Sequence, residues 1–176
     1  MPDPAPDRLR PEVRAARELR DALAALADPA AARRARAFFK PHDRVRLLGV
    51  PAPALRRLAA DLWRREAREW SYEQAVAFAD LLVTRPELEA KAVGLLLLGR
   101  CQSRLDPRAL RVARDWLRAG RIADWATTDT LCAVVLRPLL ARRRELRPRV
   151  VSWSGSTNPW VRRAAAVSLT SLAARG

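Results

Sequence analysis

Apolar residues recur at helical spacing along most of the chain. Leu19, Leu23 and Leu26 mark one stripe, Leu55, Leu58 and Leu62 a second, and Val76, Ala79, Leu82 and Val83 a third. This is the recurrence of helices with one buried face. Polar punctuation separates the stripes. Asp28-Pro29, Arg85-Pro86, Asp106-Pro107 and Asn158-Pro159 each predict a proline in the first turn of a helix, three of them behind an Asp or Asn cap. Ser71 with Gln74 predicts a capping box, and Gly120 predicts a helix end. The pattern gives about nine helices, near 11–27, 29–40, 53–68, 72–83, 86–101, 107–119, 125–143, 145–153 and 159–174. Pro138 predicts a kink or break inside the seventh, and Pro148 another near the start of the eighth. No gap holds a β-branched alternating run long enough for a sheet, so the fold class is all-α.

Short helices on short loops pair into units near the period of a helical solenoid. The expected architecture is therefore a degenerate HEAT-like repeat solenoid with a concave basic face, with a compact bundle as the other arrangement of the same helices. Residues 1–10, "MPDPAPDRLR", are proline-rich and polar and are expected to form a disordered tail. Residues 11–176 are expected to form a single domain.

Charge changes the picture more than composition does. The chain carries 34 Lys+Arg against 19 Asp+Glu, a net +15, and Lys40 and Lys91 are its only lysines. Coding bias accounts for arginine in place of lysine, but not for the excess of bases over acids. That excess points to a polyanion, with nucleic acid as the first candidate. Cys101 and Cys132 sit in apolar helical runs and read as buried thiols of a reducing compartment. With one histidine, His42, and no Cys-x-x-Cys pair, no metal or other cofactor is expected. Nothing resembles a membrane span or signal peptide, so a cytoplasmic protein, a monomer, is expected.

Three stretches carry candidate chemistry. In "IADWATTDTLC", Trp125 and Asp129 stand at i, i+4 and share one helix face, with only small residues between them. Asp124 is placed to cap that helix, which leaves Asp129 without a capping duty. Asp129 then either lines a site, or bonds a helix terminus or an arginine such as Arg163. In "STNPWVRRAAAVSL", Trp160 and Arg163 share a face at i, i+3 while Arg162 points elsewhere. Arg163 beside a helix start reads as a phosphate clamp, or as a solvated arginine whose stem covers Trp160. In "RVRLLGVPAPALRRLAADLW", Gly49 permits a tight turn before a basic amphipathic helix bearing Arg56 and Arg57. That stretch passes for a helix-hairpin-helix DNA-binding loop, except that Pro51 and Pro53 remove amide donors such a loop needs.

Taken in order, "ARAFFK", "LLGVPAPALRRLA", "WATTD" at 125–129 and "NPWVRRAA" at 158–165 resemble the AlkD-type DNA alkylation-repair glycosylases, which are HEAT-like repeat proteins. The similarity runs from about Ala35 to the C-terminus. It implies an enzyme that cuts the N-glycosidic bond of cationic alkylated purines, 3-methyladenine and 7-methylguanine, in duplex DNA. By the same resemblance Asp129 is the catalytic aspartate, and Trp125 packs against the deoxyribose of the damaged nucleotide. Arg163 contacts the DNA backbone, with Arg162, Phe38, Trp160, Arg56 and Arg57 as further DNA-binding candidates. The family is thought to leave the damaged base stacked, where most glycosylases flip it.

The chain departs from that pattern in three places. Phe38 stands where the family often has tyrosine, and Ala126 where it often has an acid. The chain stops at "SLAARG", where members usually continue through further helices, so truncation or a short divergent form is expected. Two other functions fit the charge and fold: a HEAT-like DNA-binding module without catalysis, and a protein-binding repeat scaffold with an acidic partner.

Overall fold

A computed structural model describes residues 10–41, 43 and 45–173, with side chains through Thr170. The predicted tail, apart from Arg10, and His42 lie outside the described residues. Ten α-helices are present among them: α1 (Pro11–Ala25), α2 (Pro29–Arg36), α3 (Ala52–Arg65), α4 (Tyr72–Val83), α5 (Leu88–Arg100), α6 (Arg108–Arg118), α7 (Trp125–Leu131), α8 (Arg137–Arg142), α9 (Arg147–Val151) and α10 (Pro159–Ala173). Among the described residues the only β pairing is an isolated bridge between Arg46 and Glu87. The fold is an all-α helical repeat, as the periodicity predicts. The chain divides into two compact units, residues 1–97 and 98–176.

In the first unit α1 packs on α4, and Leu19, Leu23, Leu55, Leu62, Phe78 and Leu82 meet in the core. Trp70 and Phe78 tilt against each other with ring centroids 5.3 Å apart, a favoured aromatic geometry. The predicted capping box forms: Ser71 Oγ accepts from Gln74 N, and Ser71 N donates to Gln74 Oε1. Asp28 caps α2, accepting from the amides of Ala30 and Ala31.

Several helices are shorter than the sequence expectation, and at two boundaries the cause is visible. The helix expected over 29–40 ends at Arg36, because the Arg36 guanidinium turns back to donate to the carbonyls of Lys40, Pro41 and Asp43. A side chain that binds three loop carbonyls stabilises a turn there instead of another helical turn. Pro86 does not open a helix either. The backbone of Arg46 bridges Glu87, and its carbonyl accepts from Leu88 N at 2.9 Å, so α5 begins at Leu88 with a loop carbonyl as partner.

The loop before α3 is held from a distance. Gly49 has φ +83°, and a Cβ there would stand 2.1 Å from the carbonyl oxygen of Asp28, so only glycine fits. The buried carboxylate of Glu89 on α5 accepts from the amides of Leu48 (3.0 Å) and Gly49 (2.8 Å). The amides that a helix-hairpin-helix loop would offer to phosphate are therefore already taken by a carboxylate.

In the second unit α10 packs against α6, α7, α8 and α9. Leu110, Trp116, Leu117, Ile122, Leu131, Leu136, Leu139, Leu140 and Trp153 are buried around it. The expected kink at Pro138 takes the form of a π turn over Cys132–Leu136, in which Arg137 N donates to Cys132 O. Proline lacks the N–H that an α ladder would need at that point, and the wider turn accommodates the gap. Gly99 lies against this turn: a Cβ there would sit 2.8 Å from the carbonyl oxygen of Val134.

Candidate functional site

The start of α7 is built by its cap. Asp124, 4% exposed, accepts from Thr127 N at 2.8 Å and from Thr127 Oγ1 at 2.6 Å. This satisfies an amide that the helix cannot satisfy itself. Trp125 is the first residue of the helix and remains 40% exposed. Thr127, Thr128, Leu131 and Cys132 turn inward and are fully buried. The two faces of α7 thus differ sharply: one is core, and the other presents Trp125 and, one turn later, Asp129.

Opposite stands α10. Ala164 and Ala165 are buried, and the Cys132 thiol reaches the Ala164 carbonyl at 3.6 Å. Small residues at this contact let the two helices approach closely. Burial pushes the Cys132 thiol up to about 11, so it is an unreactive core thiol, as Cys101, also buried, is expected to be. Asn158 fixes the beginning of α10. Its Oδ1 accepts from Trp160 N and Val161 N, and its Nδ2 donates to the carbonyl of Leu117 at the end of α6.

That register brings Arg163 onto Asp129. Arg163 Nε donates to Asp129 Oδ1 at 2.8 Å and Arg163 Nη2 to Oδ2 at 2.6 Å, a two-pronged pair linking residues 34 apart in sequence. Both side chains are only partly covered, with 41% and 35% exposure. The hydrogen bond to Asp129 raises the Arg163 guanidinium above its ordinary value, so it remains a cation. Each carboxylate oxygen uses one lone pair on Arg163 and retains another.

The other candidates separate. Arg162 bends away and donates to the carbonyls of Ser156 (2.7 Å) and Thr157 (2.9 Å), bracing the loop before α10. The two arginines therefore hold different partners. Trp160 is half-buried on α10. Phe38, 77% exposed in the turn after α2, and Arg56 and Arg57, exposed on α3, belong to the first unit. Sequence reasoning overlooked Thr127 as the second partner of Asp124, and Glu89 as the organiser of the Gly49 loop. An acid inside the apolar run "LEAKAVGLLLL" was the available signal for Glu89.

Among the described residues no three His, Cys, Asp or Glu side chains gather as a metal-ligand set, and no helix is long and apolar enough to cross a membrane. The fold and the Trp125–Asp129–Arg163 cluster define an all-helical repeat protein with a partly exposed acid, Asp129, held by an arginine one helical turn from an exposed indole. A family model described as DNA alkylation repair enzyme matches residues 19–176, and the chain belongs to that family. No curated protein matches it. DNA is the partner this family implies.

Proposed function

We propose that the protein is a DNA glycosylase that hydrolyses the N-glycosidic bond of cationic alkylated purines, 3-methyladenine and 7-methylguanine, in duplex DNA. The observation that carries this reading is the cluster at the start of α7. Asp129 is partly exposed, fixed in its plane by Arg163, and one helical turn from an exposed indole.

The chemistry asks for little else. An alkylated purine already bears a positive charge, so it departs with the bonding electron pair and becomes neutral without a general acid. Positive charge then develops on the sugar as the bond to C1′ breaks. A preorganised carboxylate stabilises that charge, and the face of Trp125 adds cation–π attraction. Water adds its oxygen to C1′, and its proton passes to Asp129 or to solvent. Arg163 is a positioning residue for Asp129 and a clamp for the incoming phosphate backbone. Arg162, Phe38, Trp160, Arg56 and Arg57 are further DNA contacts in this reading. The buried thiols fit a reducing compartment, the cytoplasm.

The direct test is release of 7-methylguanine and 3-methyladenine from methylated duplex DNA by purified protein in chelator. Release that continues in chelator supports the reading. Duplex binding without release of either base assigns the protein instead to a non-catalytic DNA-binding role.

A further inference from the structure

A second basic feature lies in the second unit and shares no residue with the Trp125–Asp129–Arg163 cluster. It is a cleft of about 490 Å³ between α6, α9 and the turn Ser152–Gly155. Arg108, Arg111, Arg114 and Arg118 line it from α6 and Arg149 from α9, while Asp115 is its one acid. The indole of Trp153, 3% exposed, closes its floor.

The arrangement follows from the helix period. Ala109, Leu110, Ala113, Trp116 and Leu117 form the buried stripe of α6. Arg111, Arg114 and Arg118 fall at i, i+3 and i+7 on the other face and are exposed. Among the described residues, no carboxylate comes within ion-pairing distance of the guanidinium of Arg111, Arg114, Arg118 or Arg149. Arg108 is held at 2.7 Å by Asp106. Some arginines elsewhere in this protein pair with acids, as Arg65 does with Glu18 and Arg14 with Glu66. Others, such as Arg56 and Arg57 on α3, stand alone among the described residues; the cleft differs in gathering its arginines around one space. Packing five guanidinium groups around one cleft, four of them without a counter-charge, is repulsive unless an anion enters.

We propose that this cleft is a second binding site for the phosphodiester backbone of duplex DNA, separate from the site at Asp129. The span from Arg108 to Arg118 is about 15 Å at the α-helical rise, which matches about four nucleotide steps along a duplex. A single small phosphate would engage one or two of these arginines and leave the others facing one another. A strand of regularly spaced phosphates satisfies the row. The one aromatic lining the cleft is a buried floor, so the site reads backbone and not base. It lets the protein hold a second stretch of duplex while the first lies at Asp129. The proposal rests on duplex DNA being the partner, and not on the chemistry at Asp129.

The test replaces three exposed arginines together, Arg111→Gln, Arg114→Gln and Arg118→Gln, with Arg100→Gln, Arg143→Gln and Arg144→Gln as a control of equal charge in the same unit. Binding of an undamaged duplex of 20 base pairs is measured across a range of salt. The cleft variant should bind more weakly than both wild type and control, and its slope of log affinity against log salt should be shallower by about 2.7, from about 0.9 per phosphate contact. Single-turnover excision at saturating protein should be unchanged. A cleft variant that matches wild type, or loses no more than the control, overturns the proposal. So does a variant that binds duplex normally but has lost affinity for inorganic tripolyphosphate or for polyglutamate. Wild-type protein that does not bind duplex at all removes the functional reading itself, which separates the two failures.

Discussion

At the scale of single residues, Asp124 and Asp129 show how two carboxylates five positions apart acquire different work. Asp124 is buried and spends both oxygens on Thr127. Its role was legible, because an Asp immediately before an apolar helical run is a cap. Asp124→Ala should destabilise the protein by ~1–3 kcal/mol, through the lost cap and the unsatisfied Thr127 hydroxyl, measured by chemical denaturation. Asp129 was legible only as a question. Its spacing from Trp125 showed a shared face, but the contact with Arg163 spans 34 residues and depends on how α10 seats against α7. Sequence periodicity does not carry that register. Trp125→Ala should slow excision by a smaller factor than loss of Asp129, since a cation–π contact is worth roughly 0.5–2 kcal/mol, and single-turnover kinetics would show it. Cys132 gives a prediction in pH. Its folded value of about 11 exceeds the ordinary 9.0, so the protonated thiol is favoured in the folded state. Stability from this group is fully present below pH 9 and is lost as pH rises toward 11, a change of ~2–3 kcal/mol. Wild type should therefore lose more stability than Cys132→Ala between pH 8 and 11. Parallel curves for the two proteins would contradict this.

At the scale of elements, the helices were readable and their ends were not. Caps and prolines located α2, α4, α6, α7 and α10, because those signals act within one turn. Three departures came from groups distant in sequence or from side chains reaching into loops. The Arg46 carbonyl begins α5 two residues after Pro86, Arg36 stops α2, and the π turn before Pro138 shares space with Gly99. The loop at Gly49 combines all of these influences, since it needs positive φ, the Asp28 carbonyl beside it and Glu89 beneath it. Gly49→Ala should cost at least ~1–3 kcal/mol from backbone strain, with close contact adding to it. Thermal denaturation checks this. A melting temperature equal to wild type would mean that the loop is not built as described.

At the scale of the whole molecule, net charge forecasts behaviour that no single contact does. A chain at +15 whose partner is a polyphosphate should bind duplex DNA with little sequence preference and lose affinity steeply as salt rises. Equilibrium binding between 50 and 200 mM salt is the relevant measurement, and salt-insensitive binding would contradict the account. The all-α class and the family were legible from periodicity and the four ordered motifs. The second basic cleft was not, because it needs Arg149 of α9 brought beside the row on α6.

The central claim is that Asp129 acts on the substrate and is not merely a staple between α7 and α10. Single-turnover excision and melting temperature, measured together on Asp129→Asn, separate the two. Because the pair with Arg163 is partly exposed, its loss should cost the fold no more than ~1 kcal/mol, while excision falls by roughly 10²–10³ and duplex binding stays close to wild type. A variant that melts well below wild type yet excises at the wild-type rate would show that the ion pair serves the fold alone.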